Sequence, residues 1–454
     1  MSSVLPALPI AVIGGGITGL TAAWHLKQRG RNVVVFEAAP VPGGAIRSYR
    51  EEGWLHEAGP NSLLEGSESV ATFIDAIGLG TRRIYAAEAA KNRYVVRGGK
   101  LMALPASPIG FLKTRLFSTR AKVRMLSEPF RTRSSSNCEE SVADFVERRL
   151  GREFLDYAIN PFVGGVYAGD PRQLSVRHAF PKLHALEQQH GSLFRGAFKQ
   201  RNTSGGPKGR IFSFPNGLAE LPNAIVRSLD DAVWLSTRVT QVRRAETHWE
   251  IVSESHGTSR VNQFSSVICA LPGDALAGLP FKSVAGADRL SVVREIKHPP
   301  VVSVFTGFRI KNVPHPLEGF GLLVPEVEQR SILGTLFSST LFPGRAPDDM
   351  VGLTTFVGGV RSPELASLDD LSLARLVGNE LWELLGVNGP IQYLDVRRWP
   401  RAIPQYTLGY DRYQEIFSAI EAATPGLFIG GNVRDGISIG SCIESGTRLA
   451  RAAL

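Results

Sequence analysis

The chain has 454 residues, of which 43% are hydrophobic and 20% are charged, and its formal net charge is +9. This length exceeds the size at which one hydrophobic core stops growing, so two or three folded domains are expected. The balanced composition excludes a disordered or fibrous protein.

The cysteines and the apolar runs narrow the class of protein further. The three cysteines, Cys138, Cys269 and Cys442, lie far apart and indicate neither a disulfide framework nor a metal site. No basic leader precedes the first predicted strand, and no uncharged apolar run approaches the ~18 residues that a membrane-spanning helix needs. We therefore expect a cytoplasmic protein in a reducing compartment, without a bound metal.

The first elements of the chain form a strand, a helix and a second strand. The segment "IAVIGGG" reads as a buried strand, "TGLTAAWHLKQRG" as a helix that ends at Gly30, and "NVVVFE" as another buried strand. Gly14, Gly16 and Gly19 have the spacing G-x-G-x-x-G, which lets backbone approach a pyrophosphate at a helix N-terminus. Glu37 follows Gly19 by 18 positions, where a carboxylate can accept hydrogen bonds from the adenosine ribose. The pattern predicts a dinucleotide site but does not choose between NAD and FAD.

A strongly basic segment, residues 91–133, comes next. It holds eleven Lys or Arg residues and one acid, Glu128, so it carries a charge of +10 and the rest of the chain is near −1. Apolar residues alternate with these cations, which suits a surface facing anionic lipid, and a solvated helix face is the alternative. Nucleic acid ranks lower because no nucleic-acid-binding motif accompanies the charge. Any membrane-facing helix has to start after Pro108.

The remainder of the chain alternates between helical and strand patterns. Residues 142–160 have helical spacing that is predicted to stop before Pro161, and loops at 132–137 and 202–209 bracket this helical insertion. Short strands lead to "SSVICALP", and a second β-rich stretch runs from "PPVVSVFTGFRI" to "GLTTFVGGV". A helix, "LARLVGNELWELLG", then precedes a last buried strand in "GLFIGGNV". This order predicts an α/β fold.

Two segments resemble the flavin-containing amine oxidase superfamily. They are "VPGGAIRS", which follows Glu37 closely, and "GLFIGGNVRDGISIG" near the C-terminus. In that superfamily the chain leaves the nucleotide domain and returns at its end to close over the isoalloxazine ring. The resemblance implies FAD as cofactor, with a helix starting near Ile437 that aims backbone N–H groups at the flavin.

Within that superfamily the sequence resembles the protoporphyrinogen oxidase family along nearly its whole length. The resemblance is carried by "GPNSL", "KNRYVVRGGKL", "GGVYAGDPRQLSVRHAFPKLHALEQQHGS", "LEGFGLLVP", "LGTLFSSTLFPGRAP" and "TTFVGG". It implies a Rossmann-like FAD-binding domain that is discontinuous over 1–87, 208–292 and 398–454. It also implies a helical, basic, membrane-associating insertion over 88–207 and a β-rich substrate-binding domain over 293–397.

The resemblance also implies which residues form the site. Arg93 would anchor a substrate propionate, since a guanidinium binds a carboxylate through paired, charge-assisted hydrogen bonds. Gly164 and Gly165 would let backbone approach the substrate. The apolar clamp for the pyrrole rings would consist of Leu323, Leu336 and Phe356. The implied contacts to FAD are Gly14, Gly15, Gly16, Ile17, Thr18, Gly19, Glu37, Ala38, Gly44, Arg47, Gly59, Pro60, Asn61, Ser62, Val239, Trp399, Gly431, Asn432, Gly436, Ile437, Ser438 and Ile439.

The chemistry that the resemblance implies needs no catalytic side chain. Three successive hydride transfers to flavin N5 would convert protoporphyrinogen IX into protoporphyrin IX, and molecular oxygen would re-oxidise the flavin and yield peroxide. FAD should be bound noncovalently, because residues 390–430 contain no cysteine to hold it. Catalysis would depend on orientation and a dry pocket.

Partners and alternatives complete the expectations. The resemblance implies peripheral membrane binding, a homodimer and a hand-off of product to ferrochelatase. The nearest alternative is an oxidase of the same branch acting on coproporphyrinogen III, which a second basic edge of the pocket would favour. A polyamine oxidase or carotenoid desaturase is disfavoured by the segment "VYAGDP". A non-catalytic flavin- and porphyrin-binding protein is the remaining alternative.

Overall fold

A five-stranded parallel sheet, here called the nucleotide sheet, is assembled from distant parts of the chain. The computed structural model describes residues 8–133, 139–203 and 209–454, so Cys138 and most of the two predicted loops lie outside it. The central strand is buried along its whole length, as expected for a parallel sheet covered on both faces. In spatial order the strands are Val233–Trp234, Val33–Phe36, Ile10–Ile13, Ser266–Cys269 and Leu427–Ile429. The predicted α/β character is therefore confirmed.

A second sheet has seven strands and one face covered by the helix Asp370–Leu385. In spatial order its strands are Tyr393–Trp399, Val301–Arg309, Met350–Gly358, Ile332–Leu336, Gly321–Leu323, Arg93–Arg97 and Lys100–Ala103. The last two strands come from the segment predicted as a helical insertion, so that segment begins as strand and only then becomes helical. The domain boundaries themselves stay a prediction.

Three smaller sheets and the remaining helices complete the described chain. The small sheets contain Thr258–Phe264, Trp249–Ser255, Arg238–Arg244 and Phe281–Lys282; Ser48–Glu51 and Trp54–Glu57; and Leu63–Leu64, Ile211–Ser213 and Ile84–Tyr85. The other α-helices are Ile17–Lys27, Glu68–Ala76, Pro108–Lys113, Thr119–Leu126, Val142–Arg149, Arg152–Phe154, Asn160–Tyr167, Val176–Ala179, Pro181–His190, Leu193–Thr203, Glu220–Leu229, Gly273–Gly278, Ser338–Leu341, Asp411–Ala423 and Ile439–Ala452.

The predicted helix stop before Pro161 is wrong. A π-helical turn over Leu155–Ile159 leads directly into the helix Asn160–Tyr167, in whose first turn Pro161 lies. A proline at that position needs no backbone N–H, and the wider turn before it relieves the clash that a proline ring makes inside a regular helix. The chain thus stays helical up to Gly164 and Gly165.

The basic segment contains two short helices. The first, Pro108–Lys113, begins at the proline itself, with the Ser107 hydroxyl accepting a hydrogen bond from the backbone N–H of Gly110. Lys122 of the second helix, Thr119–Leu126, donates to the carbonyls of Leu112 and Thr114 and so joins the two helices. Among the helices of the described residues, none combines the length and the apolar character that crossing a bilayer requires.

Candidate functional site

The glycine turn between the central strand and the helix Ile17–Lys27 has a backbone that only glycine accommodates. Gly14 has a φ of +108°, and a Cβ built on it would lie 2.5 Å from the carbonyl oxygen of Ala270. A Cβ on Gly19 would lie 2.0 Å from the carbonyl oxygen of Gly14. Neither position has room for a side chain, and this lets the helix pack tightly against the strand that precedes it.

The N-terminus of this helix fits an anionic group. Gly16 provides the N-cap and has no side chain, so the first backbone N–H groups of the helix have no side-chain acceptor at that residue to which they could donate. A Cβ built on Gly16 would meet no atom within 4 Å. Open space in front of uncapped N–H groups at the positive end of a helix is what a pyrophosphate requires. Ile17 and Thr18 form the first turn of the same helix.

Glu37 occupies the position expected of a ribose-binding acid. Its two carboxylate oxygens accept hydrogen bonds from the backbone N–H groups of Gly15 at 2.8 Å and Ala39 at 2.7 Å. Each oxygen keeps a lone pair that can accept a further hydrogen bond, from a ribose hydroxyl for example. The backbone N–H of Thr237 donates to the Glu37 carbonyl, which brings the strand containing Val239 close to Glu37 and Ala38.

The segments around Gly44, Gly59 and Trp399 meet beside the glycine turn. The backbone N–H of Gly43 donates to the Gly15 carbonyl, and Arg47 Nε donates to the Gly44 carbonyl. The Trp399 indole N–H donates to the Ala58 carbonyl at 2.6 Å. Gly59, Pro60, Asn61 and Ser62 follow directly. Arg47 and Trp399 line one cavity of about 330 Å³, so the structure brings together two predicted cofactor contacts that are 352 positions apart in sequence.

The C-terminal glycine loop lies against the first helix. Gly431 has a φ of +106°, and a Cβ on it would lie 3.7 Å from Thr18 Oγ1. The loop runs through Asn432 and Gly436 to the helix Ile439–Ala452, whose N-cap is Ser438. This helix therefore starts two residues after Ile437, close to the predicted position. The N-termini of this helix and of the first helix both lie at the carboxyl edge of the nucleotide sheet, because each helix follows one of its parallel strands.

Two buried tyrosines hold this loop, and the sequence analysis missed both. The hydroxyl of Tyr406 donates to the carbonyl of Asn432 and accepts from the N–H of Gly436, while the hydroxyl of Tyr410 donates to the carbonyl of Val433. Burial raises the pKa of both tyrosines, so both hydroxyls stay protonated and able to donate. No local sequence signal marks them, since Tyr406 and Asn432 are 26 residues apart.

The predicted clamp residues share one face of the seven-stranded sheet. Leu323 pairs with Gly334 and Leu336 with Gly321, and across the next strand Gly334 pairs with Phe356. Residues that face each other across a ladder point to the same side, so Leu323, Leu336 and Phe356 lie on one face. All three are half-exposed, although their neighbours Leu322, Thr335 and Val357 on the other face are buried. Three partly exposed apolar side chains in central strands make this face a candidate surface for an apolar ligand, and it is called the slot below.

The helix Asn160–Tyr167 packs on this face beside Leu323. A Cβ built on Gly165 would lie 2.5 Å from Leu323 Cδ2, and one on Gly164 would lie 3.4 Å from Arg361 Nη2. Glycine is therefore required at position 165, where this helix meets the clamp face, whereas a Cβ at position 164 would make an ordinary contact. Arg361 was not singled out in the sequence.

Arg93 lies on the same sheet face as the clamp. It pairs with Gly321, which pairs in turn with Leu336, and its guanidinium sits 5.3 Å from the ring centroid of Phe320. Arg93 is exposed, and among the described residues it forms no ion pair with an acidic side chain. A solvent-facing guanidinium at the edge of an apolar slot can bind the acid tail of a ligand whose body occupies the slot.

Three further titratable side chains near these segments are uncharged at neutral pH. His56 is buried against Phe305, and burial lowers its pKa, so the imidazole is neutral at neutral pH. Burial raises the pKa of Cys442 to about 11 and of Cys269 to about 12, so both remain thiols, and both are free. The residues that the structure describes contain no cluster of His, Cys, Asp and Glu suited to a metal ion.

Comparison with known proteins gives one consistent family. Residues 17–454 match the profile of the flavin containing amine oxidoreductases. The chain is 37% identical to the mitochondrial protoporphyrinogen oxidase of Nicotiana tabacum, over 97% of this chain and 94% of that protein. It is 27% identical to the coproporphyrinogen III oxidase of Bacillus subtilis (strain 168), over 98% of this chain and 97% of that protein.

A solved structure shares the fold. A protein of Exiguobacterium sp. 255-15, provisionally assigned as a protoporphyrinogen oxidase, superimposes with a TM-score of 0.80 at 23% identity, covering 99% of this chain and 98% of that chain.

Proposed function

This chain belongs to the flavin containing amine oxidoreductase family, in its protoporphyrinogen oxidase branch, and from this premise we propose that it oxidises protoporphyrinogen IX to protoporphyrin IX with noncovalently bound FAD. The reaction removes six hydrogen atoms from the macrocycle and passes them to three molecules of O₂, with three molecules of H₂O₂ as the other product. A flavin bound here would take two electrons from the substrate in each of three rounds. The protein itself binds the substrate, orients it and excludes water from it.

The observation that carries this proposal is the slot. It combines three half-exposed apolar side chains on one sheet face, a glycine pair on the facing helix and an exposed guanidinium at its edge. A porphyrinogen has a broad apolar body and carboxylate tails at its rim. The slot and Arg93 match those two properties in one place.

The residues that would hold FAD fit the parts of that cofactor. The uncapped helix N-terminus at Gly16 would take the pyrophosphate, and Glu37 would accept a hydrogen bond from the ribose. The cavity lined by Arg47 and Trp399 would take a further part of the cofactor. Two described cysteines lie near the C-terminal loop, Cys269 and Cys442, and both are buried free thiols, which supports noncovalent binding.

Aerobic turnover of two porphyrinogens tests the proposal. Protoporphyrinogen IX and coproporphyrinogen III are supplied separately, and porphyrin fluorescence, O₂ uptake and peroxide are followed. We expect protoporphyrin IX to form with three O₂ consumed per porphyrin and with the higher kcat/KM for protoporphyrinogen IX. A higher kcat/KM for coproporphyrinogen III would replace this assignment with the alternative that the Bacillus relative represents. If the protein binds either compound but converts neither, the alternative of a non-catalytic porphyrin-binding protein would replace the assignment.

Glu37→Gln is expected to weaken FAD binding by roughly tenfold to a hundredfold. The amide removes one charged acceptor, and its NH₂ group would face the N–H of Gly15 or of Ala39, which the carboxylate now satisfies. The measurement is the dissociation constant of FAD for the deflavinated protein. Glu246→Gln, an exposed acid on the protein surface, is the matched control and should leave that constant unchanged.

We also propose that the protein is cytoplasmic and binds peripherally to anionic membranes through the basic segment. Five large apolar side chains of that segment are exposed, and exposed cations without a described ion pair, such as Lys113, Arg115 and Arg120, lie between them. Apolar side chains that insert and cations that contact headgroups together produce interfacial binding. The exposed apolar residues are Ile109, Leu112, Val123, Leu126 and Phe130. The homodimer and the hand-off to ferrochelatase stay predictions.

Replacing Leu126 and Phe130 with serine is expected to lower the fraction of protein that sediments with vesicles of anionic phospholipid at least severalfold. Two apolar side chains, 58% and 85% exposed, would no longer insert. Leu371→Ser removes an apolar residue that is 68% exposed outside the basic segment and should not change sedimentation. Equal losses for both variants, or no binding by the wild type, would contradict the proposal.

A further inference from the structure

Arg361 is a half-buried cation at the second end of the slot. It follows the strand Met350–Gly358, and its Nη1 donates to the carbonyl of Val324 at 3.1 Å. Its Nη2 donates to Asn160 Oδ1 at the longer distance of 3.4 Å. A guanidinium has five N–H donors, so these two bonds leave part of its donor capacity unused.

No described acidic side chain forms an ion pair with Arg361. Glu326 is the only acid whose charge influences it appreciably, and Glu326 already accepts hydrogen bonds from Asn160 at 3.0 Å and Arg172 at 3.2 Å. Burial lowers the pKa of Arg361, and the charge of Glu326 offsets this only in part. The buried Arg345 differs, because its Nη1 lies 2.9 Å from the carboxylate of Glu57. An arginine that is desolvated without a carboxylate is costly unless a ligand supplies the negative charge.

The position of Arg361 places that missing charge in the slot. A Cβ built on Gly164 would lie 3.4 Å from Arg361 Nη2, and one built on the adjacent Gly165 would lie 2.5 Å from Leu323 Cδ2, so the guanidinium lies beside the clamp face. Arg93 is paired with Gly321 and Arg361 is bonded to Val324, three residues later, so the two cations are separated along the strand by roughly 10 Å at about 3.3 Å per residue. Along this direction Leu323 and Phe356 lie between the two levels, and Leu336 is level with Arg93. A ligand that fills the slot therefore has one guanidinium at each end.

We propose that Arg361 is a second carboxylate anchor, which binds an acid tail of the porphyrinogen that Arg93 does not hold. The inference rests on the proposed function and adds a specificity determinant to it. A fork of N–H donors matches a carboxylate in two-point geometry, and the bond is charge-assisted. Because neither anchor touches the reacting carbon atoms, both act on substrate binding rather than on the chemical step.

Kinetics with acidic and esterified substrate test this role. Wild type, Arg361→Met, Arg361→Lys and Arg93→Met are assayed with protoporphyrinogen IX and with its dimethyl ester, which lacks the carboxylates. For the diacid, Arg361→Met should lose roughly tenfold to a hundredfold in kcat/KM, chiefly through KM, with Arg361→Lys between it and the wild type. For the diester, Arg361→Met and wild type should have equal kcat/KM. Arg172→Met, which removes the neighbouring exposed arginine, should leave both substrates unaffected.

The outcomes separate the anchor from a structural role and from the proposed function. If Arg361→Met loses the same factor on diacid and diester, or only kcat, the arginine is structural and the inference is overturned. If the wild type turns over neither substrate, the proposed function fails independently. In that case the affinities of protoporphyrin IX and its dimethyl ester, measured by fluorescence, decide the anchor: a loss confined to the diacid in Arg361→Met supports it, and equal affinities overturn it.

Discussion

Replacing Arg149 with methionine is expected to lower the free energy of unfolding of the helical segment by about 3–5 kcal/mol, the usual cost of stranding one member of a buried ion pair. Arg149 and Glu128 are both fully buried and paired with each other. Arg149 also donates to the carbonyls of Arg131 and Gly191, at 3.0 Å and 2.9 Å. The methionine would fill most of the volume but would leave the carboxylate of Glu128 without its cation.

The pH dependence of stability gives a second readout of this pair. Burial acts to raise the pKa of Glu128, but hydrogen bonds from Ser192, the N–H of Leu193 and Arg149 outweigh it and hold the pKa below its usual value. A carboxyl whose pKa is lowered in the folded state contributes stability above its unfolded pKa and loses it as the pH falls through the folded value. The wild type should therefore lose this contribution only in acid, below about pH 4.5. In Arg149→Met the pKa of Glu128 should rise, so that the stability deficit shrinks as the pH is lowered.

The measurement is urea unfolding, monitored through hydrogen exchange of the backbone amides in the segment 119–194, at several pH values between 4 and 8. Arg152→Met removes an exposed arginine that pairs with Asp156 four residues on and should change the stability by no more than about 0.5 kcal/mol. The double variant Arg149→Met with Glu128→Gln should recover part of the loss, because no charge remains at position 128 and Glu187 keeps its ion pair with Arg148. Equal stability of Arg149→Met and Arg152→Met would refute the argument.

What could be predicted from the sequence is the part of the site that local patterns determine. The spacing of Gly14, Gly16 and Gly19 between two apolar runs requires a strand, a turn and a helix, and the structure has them. Glu37 follows from the same pattern, because the second parallel strand ends beside the first. The cofactor and substrate roles of the predicted residues came from resemblance and stay predictions, although the clamp residues do share one sheet face.

The rest depends on contacts between distant residues. The Glu57–Arg345 pair spans 288 positions, and nothing in the local sequence of either residue indicates the other. The family resemblance assigned Arg93 to a helical insertion, but Arg93 begins a strand. Its strand exists because Gly321–Leu323 offers a free edge, which a sequence pattern does not reveal. Arg361 likewise looks like an ordinary surface cation until Val324 and Gly164 are seen beside it.

Gly19→Ala is expected to yield protein with less than a tenth of the wild-type flavin content and a similar loss of oxidase activity. The added Cβ would lie 2.0 Å from the carbonyl oxygen of Gly14, an atom of the backbone that cannot rotate away. Relief requires the helix Ile17–Lys27 to move off the strand Ile10–Ile13, and with it the uncapped N–H groups that face the proposed pyrophosphate position. Since the same helix packs on the helix Ile439–Ala452, where a Cβ on Gly446 would meet the Thr18 carbonyl at 2.5 Å, the shift would reach the C-terminal loop as well.

This effect is measured by flavin absorbance per protein, by far-ultraviolet circular dichroism and by activity after addition of excess FAD. Gly378→Ala is the matched control: this glycine lies in the helix Asp370–Leu385, and a Cβ there would meet no atom within 4 Å. An alanine at such a helical position should leave flavin content unchanged and stability equal or higher by up to about 1 kcal/mol. If Gly19→Ala retains a full complement of flavin with wild-type activity, the glycine turn does not hold the cofactor. A folded but colourless variant whose activity is partly restored by excess FAD would support the argument. In that case the displaced turn lowers the affinity for FAD without removing the binding site.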